Sequence, residues 1–174
     1  LAWLANHDTL SGLLNRRRFE EELHASLAES KRFNRNFAAV LIDLGDFKQV
    51  NDKFGHNIGD ELIKAVANTL NKSSRATDVV ARLGCDEFGM IIRSFKDGEL
   101  DVIADRMINA LSSIRLSDEL AGVKCSASIG IAMMTAKDEN IDDLLAHADA
   151  AMYQAKNKGK NNWSLYEPEK PATF

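Results

Sequence analysis

The sequence predicts an α+β fold, a sheet layered with helices and carrying an acidic antiparallel hairpin at its centre. Three observations lead there. Apolar runs of strand length stand at 37–42, 79–83, 88–92 and 123–132. Between them, apolar residues recur three and four apart, the spacing of a helix face. Two of the runs, 79–83 and 88–92, are separated only by Gly84, Cys85, Asp86 and Glu87, a gap that suits a hairpin.

The elements follow in order. Residues 1–15 form a leading segment or linker. A helix comes next, with Phe19, Leu23 and Leu27 on one face. The run 37–42, Phe-Ala-Ala-Val-Leu-Ile, is continuous rather than alternating, as a strand covered on both faces should be. A short helix near 47–54 leads to Gly55 and Gly59, and a longer one carries Leu62, Val66 and Leu70 on one stripe. Gly84 suits a tight reversal with positive φ between the two hairpin strands. A helix with Leu100, Ile103, Met107, Leu111 and Ile114 precedes the strand at 123–132. The last long helix bears Ile141, Leu144, Leu145, Ala148, Met152 and Ala155, and a short strand closes the chain at 163–166. The domain is therefore expected over 16–166, with 167–174 as an exit linker.

Composition narrows the function. The chain has 174 residues, enough for one domain with a substantial core. Its net charge of −4 argues against a general nucleic-acid binder, which needs a basic surface. Two cysteines, Cys85 and Cys125, are too few for a disulfide scaffold, so a reducing cytoplasm is expected. No apolar run reaches the roughly 18 residues of a membrane span, no membrane contact is expected, and no signal peptide is visible. The first residue is Leu1, not Met, so a piece of a longer protein is expected.

Four constellations carry chemistry. Asp43 ends the first apolar run, and Asp86 and Glu87 tip the hairpin; if the strands are neighbours, three carboxylates converge. Acids also end strands and fill turns for local reasons, but three together suit a hard cation such as Mg²⁺ with a phosphate-bearing substrate. Asn51 and Asp60 supply an amide and a carboxylate, which together can read a guanine edge; taken alone, Asp60 reads as a helix N-cap. Lys156 and Lys160 close the last helix, where cations suit the dipole and also suit phosphate. Arg75 and Asp78 lie just before the second strand, as an exposed pair or as a phosphate or guanine contact.

Taken together these residues resemble the GGDEF family, the diguanylate cyclases, over nearly the whole chain. Asp8, Leu10, Leu13, Asn15, Arg16 and Arg17 match its first motif, with Ser11 in place of Thr. Phe47, Lys48, Asn51, Asp52, Gly55, His56, Gly59 and Asp60 match the segment after the first metal acid, and 148–156 match the final helix. The resemblance implies a ferredoxin-like, nucleotidyl-cyclase-like antiparallel sheet flanked by helices. It implies GTP as substrate, cyclic di-GMP as product and Mg²⁺ as cofactor. It also implies a homodimer, at least transient, and sensor or phosphodiesterase (EAL) domains in the full-length chain.

By the same resemblance Asp43 and Glu87, with the Leu44 carbonyl, hold Mg²⁺, and Asp86 is a further ligand or the base near the attacking 3′-hydroxyl. Asn51 and Asp60 read guanine, Lys156 and Lys160 hold phosphate, and Lys48, Gly84 and Cys85 also meet the substrate. Arg75, Asp78 and Arg106 form an inhibitory product site. Two positions depart from the family pattern. Cys85 replaces the second glycine of the signature, and is expected to cost about 1 kcal/mol or more if its φ is positive. Gly45 replaces the usual Asp. Two readings follow: an active cyclase, or a degenerate domain that binds GTP or cyclic di-GMP and regulates a neighbour.

Overall fold

A computed structural model describes residues 2–168. It holds one five-stranded sheet, in the order β2-β3-β1-β4-β5. β1 (Phe37–Gly45) is central, antiparallel to β3 (Glu87–Arg93) on one side and to β4 (Ser126–Met133) on the other. β2 (Val79–Arg82) pairs antiparallel with β3 at one edge, and β5 (Asn162–Leu165) pairs parallel with β4 at the other. The acidic hairpin thus joins an edge strand to the neighbour of the central strand.

Period-two alternation along β1 sends its residues to two cores. Ala38, Val40, Ile42 and Leu44 pack on one face, under α3 (Phe47–Phe54), α4 (His56–Ser73) and α5 (Glu99–Ser112). Phe37, Ala39 and Leu41 pack on the other, under α2 (Arg16–Phe33) and α6 (Ile141–Asn157). Both faces are covered, which is why β1 reads as a continuous apolar run.

Several boundaries differ from the sequence reading. The leading segment contains a short helix, α1 (Ala2–Asn6), that the sequence left unassigned. β1 runs past Ile42, because Asp43 still pairs with Glu87 and Ser128 and Gly45 with Ser126. β2 stops at Arg82. β4 starts at Ser126 rather than 123, since Val123 donates its N–H at 2.9 Å to Leu120 in a turn. Ile114 lies beyond α5, yet stays buried against the core. Gly84 and Cys85 also differ: among the described residues, neither has positive φ. The chain reverses between Leu83 and Glu87 without a left-handed residue, so the backbone strain expected of Cys85 does not arise. The exit segment from 169 onward lies outside the described residues, of which no helix is long and apolar enough to cross a membrane.

Candidate active site

The acids meet at one end of the central strand. Asp43 stands directly opposite Glu87 in the β1–β3 register and opposite Ser128 in the β1–β4 register. Directly opposed residues on one face have Cβ atoms about 5 Å apart. The pairing is carried into the hairpin tip by the Leu44 N–H, which donates to the Asp86 carbonyl at 3.0 Å. Gly45 faces Ser126, whose Oγ stands 2.5 Å from where a Cβ at 45 would be. Any larger residue here obliges Ser126 to turn its hydroxyl aside.

The carboxylates are under-compensated. Burial, then the charge of Asp43, pushes the Asp86 carboxyl above its ordinary range, against the pull of Lys156 and Arg82. Burial also raises Glu87; Arg16 opposes this, while Asp43, Asp149 and Asp86 add to it. The Arg16 guanidinium stands 4.0 Å from Glu87. Lys156, from the end of α6, donates to Asp43, and that hydrogen bond raises the lysine's pKa despite some burial.

Among the described residues, no three His, Cys, Asp or Glu side chains are gathered closely enough to hold a metal ion. Asp43 is turned to Lys156 instead. The donor set still fits a hard divalent cation: it is all oxygen, and its members repel one another in the absence of positive charge. Gly84 leaves room beside Glu87, since a Cβ there would stand 3.9 Å from Glu87 Oε2.

The other expected site residues fall around this end. Lys160 Nζ donates to Asp46 Oδ2 at 2.6 Å. Lys48 is exposed in the first turn of α3. Asn51 lies against Gly59, where an added Cβ would stand 1.8 Å from Asn51 Oδ1, and this oxygen is buried without a hydrogen-bond partner. Asp60 follows Gly59, exposed within α4; the cap position belongs to Gly55, so the N-cap alternative for Asp60 falls.

Arg75 and Asp78 form one turn apart from this cluster. Asp78 accepts from the backbone N–H of Arg75 at 2.9 Å and from that of Arg93 at 3.1 Å. Arg75 donates to the Arg93 carbonyl at 3.0 Å and faces Glu99 at 3.9 Å. Arg106 is exposed on α5, two turns beyond Glu99.

Three further residues, Arg82, Asp149 and Asp46, were not singled out from sequence. Arg82 donates to the Cys85 carbonyl at 2.7 Å and to Asp8 at 3.2 Å, so it holds the signature turn against the leading segment. Asp8 also accepts from the Ser11 N–H at 2.8 Å and Oγ at 2.7 Å. Burial would raise the Asp8 carboxyl, but these bonds and Arg82 hold it below its ordinary value. Asp149 on α6 adds a fourth acid near Glu87. Asp46 is the third. The only available signal was Arg82 standing three residues before Cys85, within reach of its carbonyl.

The domain is a layered α+β fold with opposed carboxylates and two lysines at one sheet end. The family model for the diguanylate cyclase GGDEF domain matches residues 5–162, and the chain belongs to this family. It is 37% identical over 168 residues to the bifunctional diguanylate cyclase/cyclic di-GMP phosphodiesterase MucR of Pseudomonas aeruginosa, covering 96% of this chain and 24% of that protein. The chain thus spans about a quarter of this relative's length. Among solved structures, the GGDEF domain of TpbB (YfiN) from Pseudomonas aeruginosa matches at TM-score 0.84 and 36% identity, over 92% of this chain and 94% of that one. The GGDEF domain of DgcB from Caulobacter crescentus, in complex with c-di-GMP, matches at TM-score 0.87 and 27% identity, over 94% of each chain.

Proposed function

We propose that this domain binds GTP with Mg²⁺ and that two copies, facing each other, join two GTP molecules into cyclic di-GMP. The observation that carries the reading is the register of Asp43 opposite Glu87, continued by the Leu44–Asp86 bond.

Asp43 and Glu87, with the Leu44 carbonyl, would hold Mg²⁺. Bound there, the ion would supply positive charge to the reacting phosphate. Lys156 moves from Asp43 to a phosphate oxygen, and Lys160 holds phosphate beside it. Lys48, Gly84 and Cys85 border the same end. Asn51 and Asp60 read the guanine edge. Asp86, at the hairpin tip, acts on the attacking 3′-hydroxyl. The 3′-oxygen bonds to the α-phosphorus of the other GTP, the bond to pyrophosphate breaks, and the hydroxyl proton passes to Asp86. The step occurs twice. One domain offers one such site, so catalysis needs a second copy, and the main work is positioning and charge stabilisation. Arg75, Asp78 and Arg106 would hold product on a separate face. The cytoplasm, where GTP is supplied, is the compartment this reading requires.

A second reading is favoured by Cys85 in the signature and by the bifunctional character of MucR. Here the domain binds GTP or cyclic di-GMP without turnover and regulates a neighbouring domain. The test is to incubate the purified, dimerised protein with GTP and Mg²⁺ and to measure cyclic di-GMP and pyrophosphate. Product supports the first reading. GTP binding without product leaves the second, and no binding of either nucleotide rejects both.

A further inference from the structure

Both lysines assigned to phosphate are already held by acids. Lys156 donates to Asp43, and Lys160 Nζ donates to Asp46 Oδ2 at 2.6 Å. The two pairs respond differently to a magnesium nucleotide. Asp43 exchanges its lysine for the cation while Lys156 exchanges its carboxylate for phosphate, so no charge is stranded. Asp46 is not among the residues assigned to Mg²⁺, so the bound ion does not replace Lys160 for it.

The placement of Asp46 sharpens the conflict. It is the cap residue of α3, with φ +62, and its side chain makes no bond to the helix's first amides. The carboxylate reaches across to Lys160 instead. It also borders a cleft of about 510 Å³ between α3 and the start of β4. The charged residues around that cleft are Lys53, Arg115, Lys124 and Lys160, with Asp46 as the one acid. An anion entering from the Lys160 side therefore meets attraction everywhere except at Asp46.

We propose that Asp46 sets the affinity for the phosphate end of the nucleotide: its carboxylate occupies Lys160 and must be displaced, or tolerated as a like charge, whenever a phosphate binds there. The inference rests on the GTP reading above and concerns the same site. It assigns Asp46 the role of an internal competitor, acting through Lys160 rather than on the reacting atoms.

Asp46→Asn is the direct test, because Asn tolerates left-handed φ as Asp does. Titration calorimetry with Mg²⁺ and a non-reacting GTP analogue, with guanosine, and with inorganic triphosphate separates the phosphate end from the base. An exposed ion pair and a like-charge contact together correspond to about a three- to tenfold change. Asp46→Asn should tighten the analogue and inorganic triphosphate by that factor and leave guanosine unchanged. In turnover the change should fall on KM. In a Lys160→Met background the gain should vanish.

Equal or weaker binding of both phosphate ligands by Asp46→Asn overturns the inference, as does a gain that survives Lys160→Met. If no variant binds the GTP analogue while Asp46→Asn still tightens inorganic triphosphate, the GTP reading falls and the role of Asp46 stands. Asp46→Gly, equally at ease at this φ, repeats the comparison should the Asn variant melt early.

Discussion

Replacing Gly130 by alanine should damage fold and site together. Gly130 lies in β4 directly beneath α6. A Cβ there would stand 2.1 Å from the Ala148 carbonyl oxygen and 2.3 Å from the Met152 amide nitrogen. Both are backbone atoms, so no side chain can rotate away. Restoring an ordinary contact of 3.4 Å requires α6 to lift by about 1.3 Å. The helix is seated by Leu144, Ala148, Ala151, Met152 and Ala155, all buried. Overpacking of a close-packed core costs about 1–3 kcal/mol, and a double clash with backbone belongs at about 3 kcal/mol. For a domain of this size that lowers Tm by about 6–12 °C.

The same lift carries Lys156 away from Asp43, since α6 moves as a rigid rod. A displacement of about 1 Å costs up to about a hundredfold in a positioned reaction. Differential scanning calorimetry measures the first effect, and cyclic di-GMP formation below the variant's Tm measures the second. A Gly130→Ala protein melting within about 2 °C of wild type would refute the close packing of α6 on β4.

Five other outcomes follow from the geometry. Asp8→Asn should cost about 1–2 kcal/mol in urea unfolding by loosening its bonds to Ser11 and Arg82. Because folding lowers the Asp8 pKa, its contribution is present above the unfolded value and is lost as pH falls through the folded one, so the wild-type advantage should shrink in acid. Asp86 and Glu87 have the opposite sign: raised in the fold, they oppose folding when ionised, and this penalty is relieved as pH falls through their folded values. Mg²⁺ at about ten times its Kd should raise the wild-type Tm by about 3–6 °C and that of Glu87→Gln by much less, by calorimetry. Cys85→Gly should lower stability by about 0.5–1 kcal/mol, since Cys85 has no positive φ to relieve and glycine adds chain entropy; a stabilised variant would contradict this. Gly59→Ala should displace Asn51 from α4 and weaken guanosine binding more than inorganic triphosphate binding, by titration calorimetry.

What the sequence made legible was local. Phe37 to Ile42 announces a strand covered on both faces, and acids at 43, 86 and 87 break otherwise apolar runs, so strand and site candidates emerge together. Neighbouring strands then bring Asp43 to Glu87, as their register shows. What stayed hidden depends on chain segments far apart. Lys160 and Asp46 are 114 residues apart, and Arg82 and Asp8 are 74 apart. No local periodicity encodes such pairs. Gly84 misled for a different reason: a glycine at a hairpin tip suggests positive φ, whereas here the turn is closed by Leu83 and Gly84 donating to the Glu87 carbonyl at 2.7 and 3.3 Å. The role of Gly130 is invisible until α6 is placed above it.

The electrostatics link this architecture to ligand binding. The register fixes which face Glu87 occupies, because a slip of one residue between β1 and β3 would turn its side chain to the opposite core. Held in place, Asp43, Asp86, Glu87 and Asp149 crowd one sheet end, answered by Lys156, Arg16 and Arg82. Burial first, and repulsion among the acids after it, raise Asp86 and Glu87 beyond what these cations offset. A fold selected for stability alone would replace one of these acids with a neutral residue of similar size. Keeping them makes sense where a ligand supplies the missing positive charge and takes up the displaced lysine. On the proposed function, a cation bound to a polyphosphate would do both, its charge satisfying Asp43 and Glu87 while phosphate oxygens receive Lys156. The pairing of Lys156 with Asp43 would then be the ligand-free half of an exchange, and a Lys156→Met variant should lose affinity for inorganic triphosphate while still binding Mg²⁺ at Asp43.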